Sequence, residues 1–467
     1  MSITLVSPNS PALQNELKLR IPELLMPAGD PEKMRYAIAY GADAVYLGLS
    51  FASLRTVNSK DPFTTENIAE HVAYCQSRGV KAYVTLNIFA SNRDIQRLVP
   101  HVELLEQIKP DAIILSDPGI FRLVQKHAPS VPIHVSTQAN TLNASACAFW
   151  QDLGAERVIL AREVPLREIA EIHEMLPDLE LECFMHGSLC VAYSGRCVIS
   201  DYLTDNTKNS NKGMCGNSCR WEFDVKGNAE NQHSCSDAPQ EEKQTETKEF
   251  KLQEVTRPDT EYTLEEDEKG SYLFNSKDLC LVRFLPEITK AGIVSIKAEG
   301  RTKGVHYVAT VARVYREALD YLAANGLDNP APNQQIIAWE DELRDTANRG
   351  FTTGFLHGKP SSEAYHYQSS QSDSNATFVA NCTGNIKASG AIELIARNQF
   401  SAEETLTCMT PKGLFTLKPK SIENANGLQQ SIVNPNQAVW IALDDAHPVL
   451  SLSPETLQWG LVRRRES

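Results

Sequence analysis

The first part of the chain alternates short apolar runs with segments of helical pattern. Seven runs lie at 24–29, 44–48, 81–87, 112–117, 133–138, 157–162 and 181–186, and an eighth lies at 294–299. The segments between them carry helical patterns, as at 31–40, where Asp30 and Pro31 supply an N-cap and a first-turn proline. This spacing is typical of β/α units, and eight units predict an α/β fold, a (β/α)8 TIM-barrel-like main domain.

A different pattern follows the eighth run. Helical patterns cover 302–327 and 334–349, and 361–375 is rich in Ser, Gln and Asn. Beyond this stretch, apolar and polar residues alternate between Gly, Pro and Asn breaks, which predicts a small, barrel-like all-β domain. We therefore predict an N-terminal extension (1–20), a barrel domain (21–360), a linker (361–375) and a β domain (376–467). The barrel domain contains a cysteine-rich loop (187–221) and an acidic insertion (222–270).

The negative charge of the chain is unevenly distributed. The net charge is −14, and the segment 222–270, rich in Glu, Gln, Lys, Thr and Ser, predicts a solvated and mobile insertion. Because much of the negative charge lies there, the total does not exclude an RNA partner. Residues 1–20 lack the apolar region of a signal peptide, and no run approaches the roughly 20 apolar residues of a membrane span. We expect a cytoplasmic protein without a membrane partner.

Polar residues follow the predicted barrel strands. In parallel barrels the chemistry lies at the C-terminal ends of the strands. Each polar residue there, taken alone, is explained by a strand leaving the core. Together with the cysteine loop on the same rim, they predict one pocket. The residues are Asn87, Asp117, Gln138, Asn140, Arg162, Glu163, His186, Glu299 and Arg301.

Four cysteines form the most informative motif. Cys190, Cys197, Cys215 and Cys219 follow the seventh run with C-x6-C-x17-C-x3-C spacing. In a cytosolic chain such a cluster indicates metal binding or redox chemistry rather than disulfides. Four thiolates suit zinc or a 4Fe-4S cluster, and the irregular spacing favours iron-sulfur, because structural zinc sites usually combine two short pairs. The other seven cysteines are expected to be small core residues.

Several further residues are candidates for chemistry or binding. His186 is a candidate proton donor, base or ligand. Glu299 and Arg301, at the end of the last barrel strand, suit an anionic substrate or a salt-bridged strand end. Arg196, Lys208, Lys212 and Arg220 add positive charge around the cysteine loop, whereas the tail at 463–465 is expected to be solvated. His173 and Glu174 begin a zincin-like motif, but the second histidine of that motif is missing. The chain also lacks a G-x-S-x-G nucleophile elbow, a Walker loop and a G-x-G-x-x-G motif.

Five motifs resemble those of a known family. They are ELLMPAG at 23–29, YGADAVY at 40–46, MHGSLC at 185–190, YSGRC at 193–197 and KAEGR at 297–301, and they are similar to the collagenase-like peptidase superfamily. NSCRW at 217–221 and NSKDL at 275–279 narrow the resemblance to its tRNA hydroxylation protein P branch. Two departures are Ala298, where that family commonly has Ile, and the acidic insertion at 227–268.

The resemblance implies a function. It implies oxygen-independent formation of 5-hydroxyuridine at the wobble position (34) of tRNA, with prephenate as cosubstrate and a 4Fe-4S cluster. The implied partners are a tRNA anticodon loop, the iron-sulfur assembly machinery and an electron donor. The alternatives are a collagenase-like peptidase and a zinc-stabilised RNA-binding module.

The resemblance also assigns provisional roles to individual residues. It places the cluster on Cys190, Cys197, Cys215 and Cys219. We expect the uridine beside His186, which is a candidate catalytic residue together with Glu299. The expected phosphate path runs along Arg196, Lys208, Lys212 and Arg220. We expect prephenate at Arg301 with Arg162 or Arg55. Gln138 and Asn140 complete the predicted substrate-binding set.

Overall fold

The computed structural model describes residues 20–49, 61–190, 192–197, 199, 219, 276–360, 364 and 372–465. For 248–253, 261–267 and 270–272 it describes the backbone alone. The N-terminal extension up to residue 19, residues 50–60, most of the cysteine loop and most of the linker therefore lie outside the described residues.

Eight parallel strands close into a barrel, which confirms the predicted fold class. The strands are β1 Glu23–Ala28, β2 Ala44–Gly48, β3 Lys81–Leu86, β4 Ala112–Leu115, β5 Ile133–Val135, β6 Arg157–Ile159, β7 Glu180–Ser188 and, after four strands outside the barrel, β12 Ile293–Ala298. Neighbouring strands pair in chain order, and β12 pairs with both β7 and β1. All eight apolar runs are therefore barrel strands. β5 and β6 end earlier than their runs, and residues 137–139 form a short 3-10 turn after β5.

Helices cover the outside of the barrel. They are α1 Pro31–Ala39, α2 Ile68–Gln76, α3 Asn92–Ile108, α4 Pro118–His127, α5 Ala144–Asp152, α6 Leu166–Met175, α7 Leu285–Lys290, α8 Val305–Asn325 and α9 Asn333–Arg344. Side chains cap several of them as the sequence predicts. Asp30 and Asp117 each accept backbone N–H groups at the start of α1 and α4, and Pro31 and Pro118 occupy the first turns. The two helical patterns after the barrel are confirmed by α8 and α9.

Additional strands extend the barrel beyond its predicted plan. β11 Asp278–Cys280 runs antiparallel to the end of β7, and β13 Phe351–Thr352 pairs with β11. Within the acidic insertion, β8 Lys248–Gln253, β9 Glu261–Asp267 and β10 Gly270–Tyr272 form an antiparallel sheet. The insertion, predicted as a mobile segment, thus contains regular strands.

The C-terminal part is an antiparallel all-β unit, as predicted. Its strands are β14 Ala376–Ile386, β15 Ala391–Ala396, β16 Phe400–Ser401, β17 Leu406–Thr410, β18 Gly413–Leu417, β19 Ser421–Asn424, β20 Ile432–Val433, β21 Ala438–Ala442 and β22 Leu461–Arg465, with the short helix α10 Pro454–Leu457. Seven strands form one sheet in the order β18-β17-β22-β14-β15-β21-β19, while β16 pairs with β20. A separate apolar core, including Val379, Leu394 and Ile441, holds this unit together.

The β unit packs directly on the barrel helices. The Tyr40 hydroxyl lies 2.8 Å from the carbonyl oxygens of both Met409 and Trp459. Arg463 was expected to be solvated, but this expectation is wrong. Its side chain is buried, and its guanidinium pairs at 3.0 Å with the Asp345 carboxylate, just after α9. In the described part of the chain no helix is long and apolar enough to cross a membrane.

Candidate functional site

Charged side chains meet inside the barrel near the C-terminal ends of its strands. Arg162 follows β6, and its Nη2 lies 3.4 Å from Oε2 of Glu299, which follows β12. The Glu299 Oε1 atom accepts a hydrogen bond from the Gly300 N–H at 3.1 Å. Arg301, two residues further, donates from Nη1 to Thr85 Oγ1 at 3.4 Å. The structure therefore pairs Arg162 with Glu299 and places Arg301 at the same end of the barrel, and all three were predicted from the sequence.

Arg162 has hydrogen-bonding capacity that its described neighbours do not use. Its guanidinium carbon lies 4.1 Å from the centroid of the Phe184 ring, and its side chain is 4% exposed. Nε and Nη1 are buried without a hydrogen-bond partner among the described residues. A small cavity of about 30 Å³ adjoins this side chain. Because buried donors are costly unless satisfied, these N–H groups suit a polar ligand atom or an ordered water.

A second layer of charge lies deeper in the barrel. Lys297 on β12 donates from Nζ to Glu182 Oε1 on β7 at 3.1 Å, and both residues are buried. Burial lowers the pKa of Lys297, and the Glu182 carboxylate partly offsets the shift. Arg157 bridges Glu182 to Glu23 at the opposite end of the barrel. These buried charges form a column along the barrel interior. Its sequence signal is the pair of acidic residues at alternate positions of β7, Glu180 and Glu182.

The start of the cysteine loop docks on the same rim. The Ser194 hydroxyl accepts a hydrogen bond from the backbone N–H of Arg162 at 3.2 Å. Glu163 Oε1 accepts one from the backbone N–H of Ser194 at 2.9 Å. Gly195 adopts a φ of +74°, and a Cβ atom there would lie 2.0 Å from the Gln138 carbonyl oxygen. Only glycine permits this contact. The cysteine loop therefore contacts Gln138, Arg162 and Glu163, which were predicted at the rim from their positions at strand ends. The role of Ser194 was not predicted.

Close packing also joins β7 to the last strand end. The Glu299 N–H donates to the His186 carbonyl oxygen at 2.8 Å. Gly187 has a φ of +99°, and a Cβ atom there would lie 2.6 Å from the Glu299 carbonyl oxygen. The glycine in the MHG motif thus lets the two chain segments meet beside the start of the cysteine loop.

The loop cysteines differ from the others in their exposure. Cys190 is exposed, and Cys197 and Cys219 are partly exposed, whereas Cys215 lies outside the described residues. The remaining described cysteines are buried, which confirms their predicted core role: Cys75, Cys147, Cys183, Cys280, Cys382 and Cys408. Burial raises the pKa of Cys75, Cys147, Cys183 and Cys280 to about 12. Among the described residues, no three His, Cys, Asp or Glu side chains lie together as a metal ion requires.

His186 packs on α8 and the added strands. Its Nδ1 lies 3.4 Å from the Tyr315 hydroxyl, and its ring contacts Tyr307 and Phe351. Burial lowers the pKa of His186 to about 3, with a smaller effect from the Lys303 ammonium. The ring is therefore neutral at pH 7 and cannot donate a proton as an imidazolium. Its proposed catalytic role stays a prediction.

The other predicted residues are placed as follows. Asn140 follows the 3-10 turn after β5 with a φ of +55°, and its Oδ1 is buried without a hydrogen-bond partner among the described residues. Arg196 is exposed beside Cys197. The predictions for Arg55, Lys208, Lys212 and Arg220 fall outside the described residues.

The sequence also matches a known family along most of the barrel domain. Residues 29–366 match the description Peptidase family U32. The chain belongs to peptidase family U32. Because this match includes the barrel strands after β1, the strand-end charges and the cysteine loop, the candidate site lies within the shared U32 region.

U32 relatives carry more than one name. The tRNA hydroxylation protein P of Escherichia coli K12 is 39% identical over 451 residues, covering 94% of this chain and 95% of the relative. The 23S rRNA 5-hydroxycytidine C2501 synthase of the same organism is 32% identical over 339 residues, covering 72% of this chain and 45% of the relative. The collagenase of Porphyromonas gingivalis is 30% identical over 367 residues, covering 76% and 78%.

Proposed function

We propose that this protein is an RNA-modifying enzyme that converts the wobble uridine (position 34) of tRNA to 5-hydroxyuridine. The observation that carries the proposal is the 39% identity, over 94% of the chain, to a protein named for tRNA hydroxylation. The relative named as an rRNA 5-hydroxycytidine synthase supports the same class of reaction, hydroxylation of RNA. An anticodon loop suits this chemistry because its bases are unstacked at little cost.

The rim of the barrel is the proposed reaction site. Here the Arg162–Glu299 pair, Arg301 and the start of the cysteine loop lie together. We assign proton transfer to Glu299, because the buried His186 ring is neutral and faces α8. Arg162 orients the Glu299 carboxylate through their ion pair.

We propose that Cys190, Cys197, Cys215 and Cys219 hold a 4Fe-4S cluster at this rim. The donor chemistry fits, because four thiolates are the common ligand set for such clusters. The exposure of the three described loop cysteines, against the burial of six others, also supports a ligand role. Bound there, the cluster would supply electron transfer. Its assembly machinery and an electron donor are the proposed protein partners.

Prephenate is the proposed cosubstrate. It carries two carboxylates, and guanidinium groups bind carboxylates with matched geometry. The two Arg162 N–H groups without a partner among the described residues support this assignment, and Arg301 adds a second guanidinium at the same end of the barrel. In an Arg301→Ala protein we expect tRNA hydroxylation to lose its dependence on prephenate or to stop. Unaltered prephenate dependence would argue against the assignment.

The tRNA backbone is proposed to cross the cysteine loop along Arg196 and Arg220. Arg196 is exposed and stands beside Cys197. Charge reversal at both arginines should weaken tRNA binding and reduce its salt dependence, because each phosphate contact releases counterions. Binding that keeps its affinity and salt slope would refute this path.

Mass analysis of tRNA nucleosides tests the function directly. Cells that lack this protein should lose 5-hydroxyuridine and its derivatives, and the wild-type chain should restore them. Cys197→Ala should fail to restore them, whereas Cys147→Ala, a matched change at a buried helical cysteine, should succeed. Unchanged nucleosides in the deleted cells would reject the proposal.

Two other functions give different results. The 30% identity to a collagenase favours a peptidase as the second candidate. A peptidase should cleave denatured collagen at a rate that persists through purification and falls with active-site substitutions. A zinc-stabilised RNA-binding module should purify colourless with zinc. The proposed enzyme, isolated without oxygen, should be brown and contain iron and sulfide.

A further inference from the structure

Lys297 occupies an unusual position for a lysine. It lies on β12 inside the barrel and is 4% exposed. Its Nζ is 3.1 Å from Glu182 Oε1, 4.5 Å from the centroid of the Tyr46 ring and 5.6 Å from that of the Phe184 ring. The ammonium group is thus held between one carboxylate and two aromatic rings.

The same two rings border the arginines of the rim. The guanidinium carbon of Arg301 lies 5.8 Å from the Tyr46 centroid, and that of Arg162 lies 4.1 Å from the Phe184 centroid. These centroid distances place Lys297 within about 10 Å of each guanidinium carbon, on the inner side of the rim.

The surroundings of Lys297 favour a reactive amine. Lysines become nucleophiles when they are desolvated or placed beside another cation, and they then form Schiff bases with carbonyl compounds. Lys297 is both buried and close to Arg301, and its pKa is lowered by burial. The Glu182 carboxylate, 3.1 Å away, can accept the proton that the amine must lose.

We propose that Lys297 forms an imine with an α-keto carboxylate whose carboxylate is bound by Arg162 and Arg301. This inference rests on the proposed function only in taking prephenate, which contains an α-keto carboxylate, as the physiological ligand. Arg162 contributes two buried N–H groups that have no partner among the described residues. The buried amine distinguishes a keto acid from a ligand that the arginines merely bind.

The reaction balances without an oxidant or reductant. The Lys297 ammonium passes a proton to Glu182, and the neutral amine attacks the keto carbon to form a C–N bond. Glu182 returns the proton to the keto oxygen, which leaves as water together with a second proton from the nitrogen. The product is a protonated imine, an electron sink next to the carboxylate.

Borohydride trapping tests the proposal on the intact protein without RNA or an electron donor. Pyruvate or prephenate is added, borohydride reduces any imine to a secondary amine, and peptide mass analysis locates the adduct. We expect the adduct on Lys297 with both keto acids, and none with lactate, which lacks the carbonyl group. An adduct with prephenate alone would also support the proposal and would identify the physiological ligand.

Two variants complete the design. Lys297→Arg keeps the charge beside Glu182 and should lose the adduct. Lys81→Arg, a matched change at an exposed lysine that pairs with Glu23, should retain it. If wild-type protein gives no adduct on Lys297, or equal labelling of surface lysines, the imine is excluded even if Lys297→Arg fails to fold. Hydroxylation of tRNA that persists in Lys297→Arg would reject the imine and leave the proposed function intact.

Discussion

Arg162 is the side chain on which the candidate site depends most directly. Its guanidinium pairs with the buried Glu299 carboxylate and covers the Phe184 ring. Arg162→Gln should lower the free energy of unfolding by roughly 3 to 5 kcal/mol, because breaking a buried pair leaves a buried carboxylate with fewer partners. Urea unfolding measures this loss. In cells, the variant should also fail to restore 5-hydroxyuridine.

A surface arginine provides the matched control for this change. Arg167 is 78% exposed in its side chain and lies 3.6 Å from Glu168. Arg167→Gln should change the free energy of unfolding by less than about 0.5 kcal/mol, since exposed pairs contribute little. Equal losses in the two variants would show that the Arg162–Glu299 pair has no special role.

Two buried histidines make stability depend on pH. Burial lowers the pKa of His186 and of His306 to about 3, against 6.5 for an ordinary histidine. Below pH 6.5 these two histidines become protonated in the unfolded chain but stay neutral in the folded chain. The stabilisation is therefore complete above pH 6.5 and is lost as the pH falls toward 3, by roughly 1.4 kcal/mol per histidine and pH unit.

Urea unfolding at pH 7.5 and 5.5 tests this linkage. His306 stacks on Phe378 with ring centroids 5.4 Å apart, so His306→Phe preserves the packing. The variant should lose about 1.4 kcal/mol less than the wild type between the two pH values. Parallel losses in the variant and the wild type would contradict the prediction.

At the scale of elements, the cysteine loop is fixed by a contact that only glycine allows. Gly195→Ala places a Cβ atom against the Gln138 carbonyl oxygen and adds strain at positive φ. The loop should then leave the rim, and iron content should fall while the barrel unfolds at nearly the same urea concentration. Iron analysis and urea unfolding measure the two effects.

Gly79 separates the two causes of that effect. It shares a positive φ of +70°, but a Cβ atom there would meet nothing within 4 Å. Gly79→Ala therefore reproduces the backbone strain without the collision at the rim. Retained iron in Gly79→Ala and lost iron in Gly195→Ala would assign the effect to loop docking. Full iron content in both variants would mean that loop docking does not position the cysteines.

The elements of the barrel were predictable because their signal is local. Each strand is an apolar run, and several helix starts carry a local cap such as Asp30 with Pro31. The added strand β11 escaped prediction because only pairing with β7 defines it. The sequence also placed Arg162 and Glu299 on one rim through the strand-end rule. It did not place Ser194 in the site, because tertiary packing alone creates its contacts.

At the scale of the whole molecule, charged side chains continue through the barrel from one end to the other. Glu23, Arg157 and Glu182 link the end opposite the rim to Lys297, and Arg162 and Glu299 lie beyond it. Buried charges are costly unless paired, so this column contributes to specific geometry more than to net stability. The barrel therefore presents its rim charges on a rigid base.

The β unit and the barrel should unfold together. Tyr40 on the barrel side reaches two carbonyl oxygens of the β unit, and Arg463 pairs with Asp345 beside α9. Tyr40→Phe removes the shared donor and should lower the free energy of unfolding by about 1 to 3 kcal/mol. Because the interface also contains buried ion pairs and ring contacts, hydrogen exchange should accelerate equally in 112–115 and 391–396.

Tyr321→Phe is the control for this last change. The Tyr321 ring packs on Trp339 with centroids 6.2 Å apart, away from the β unit. Removing the Tyr321 hydroxyl should leave hydrogen exchange in both segments nearly unchanged. Faster exchange confined to 391–396 in Tyr40→Phe would mean that the β unit opens independently of the barrel. Equal acceleration would make the β unit part of one cooperative structure, so that substitutions at this interface also affect the candidate site.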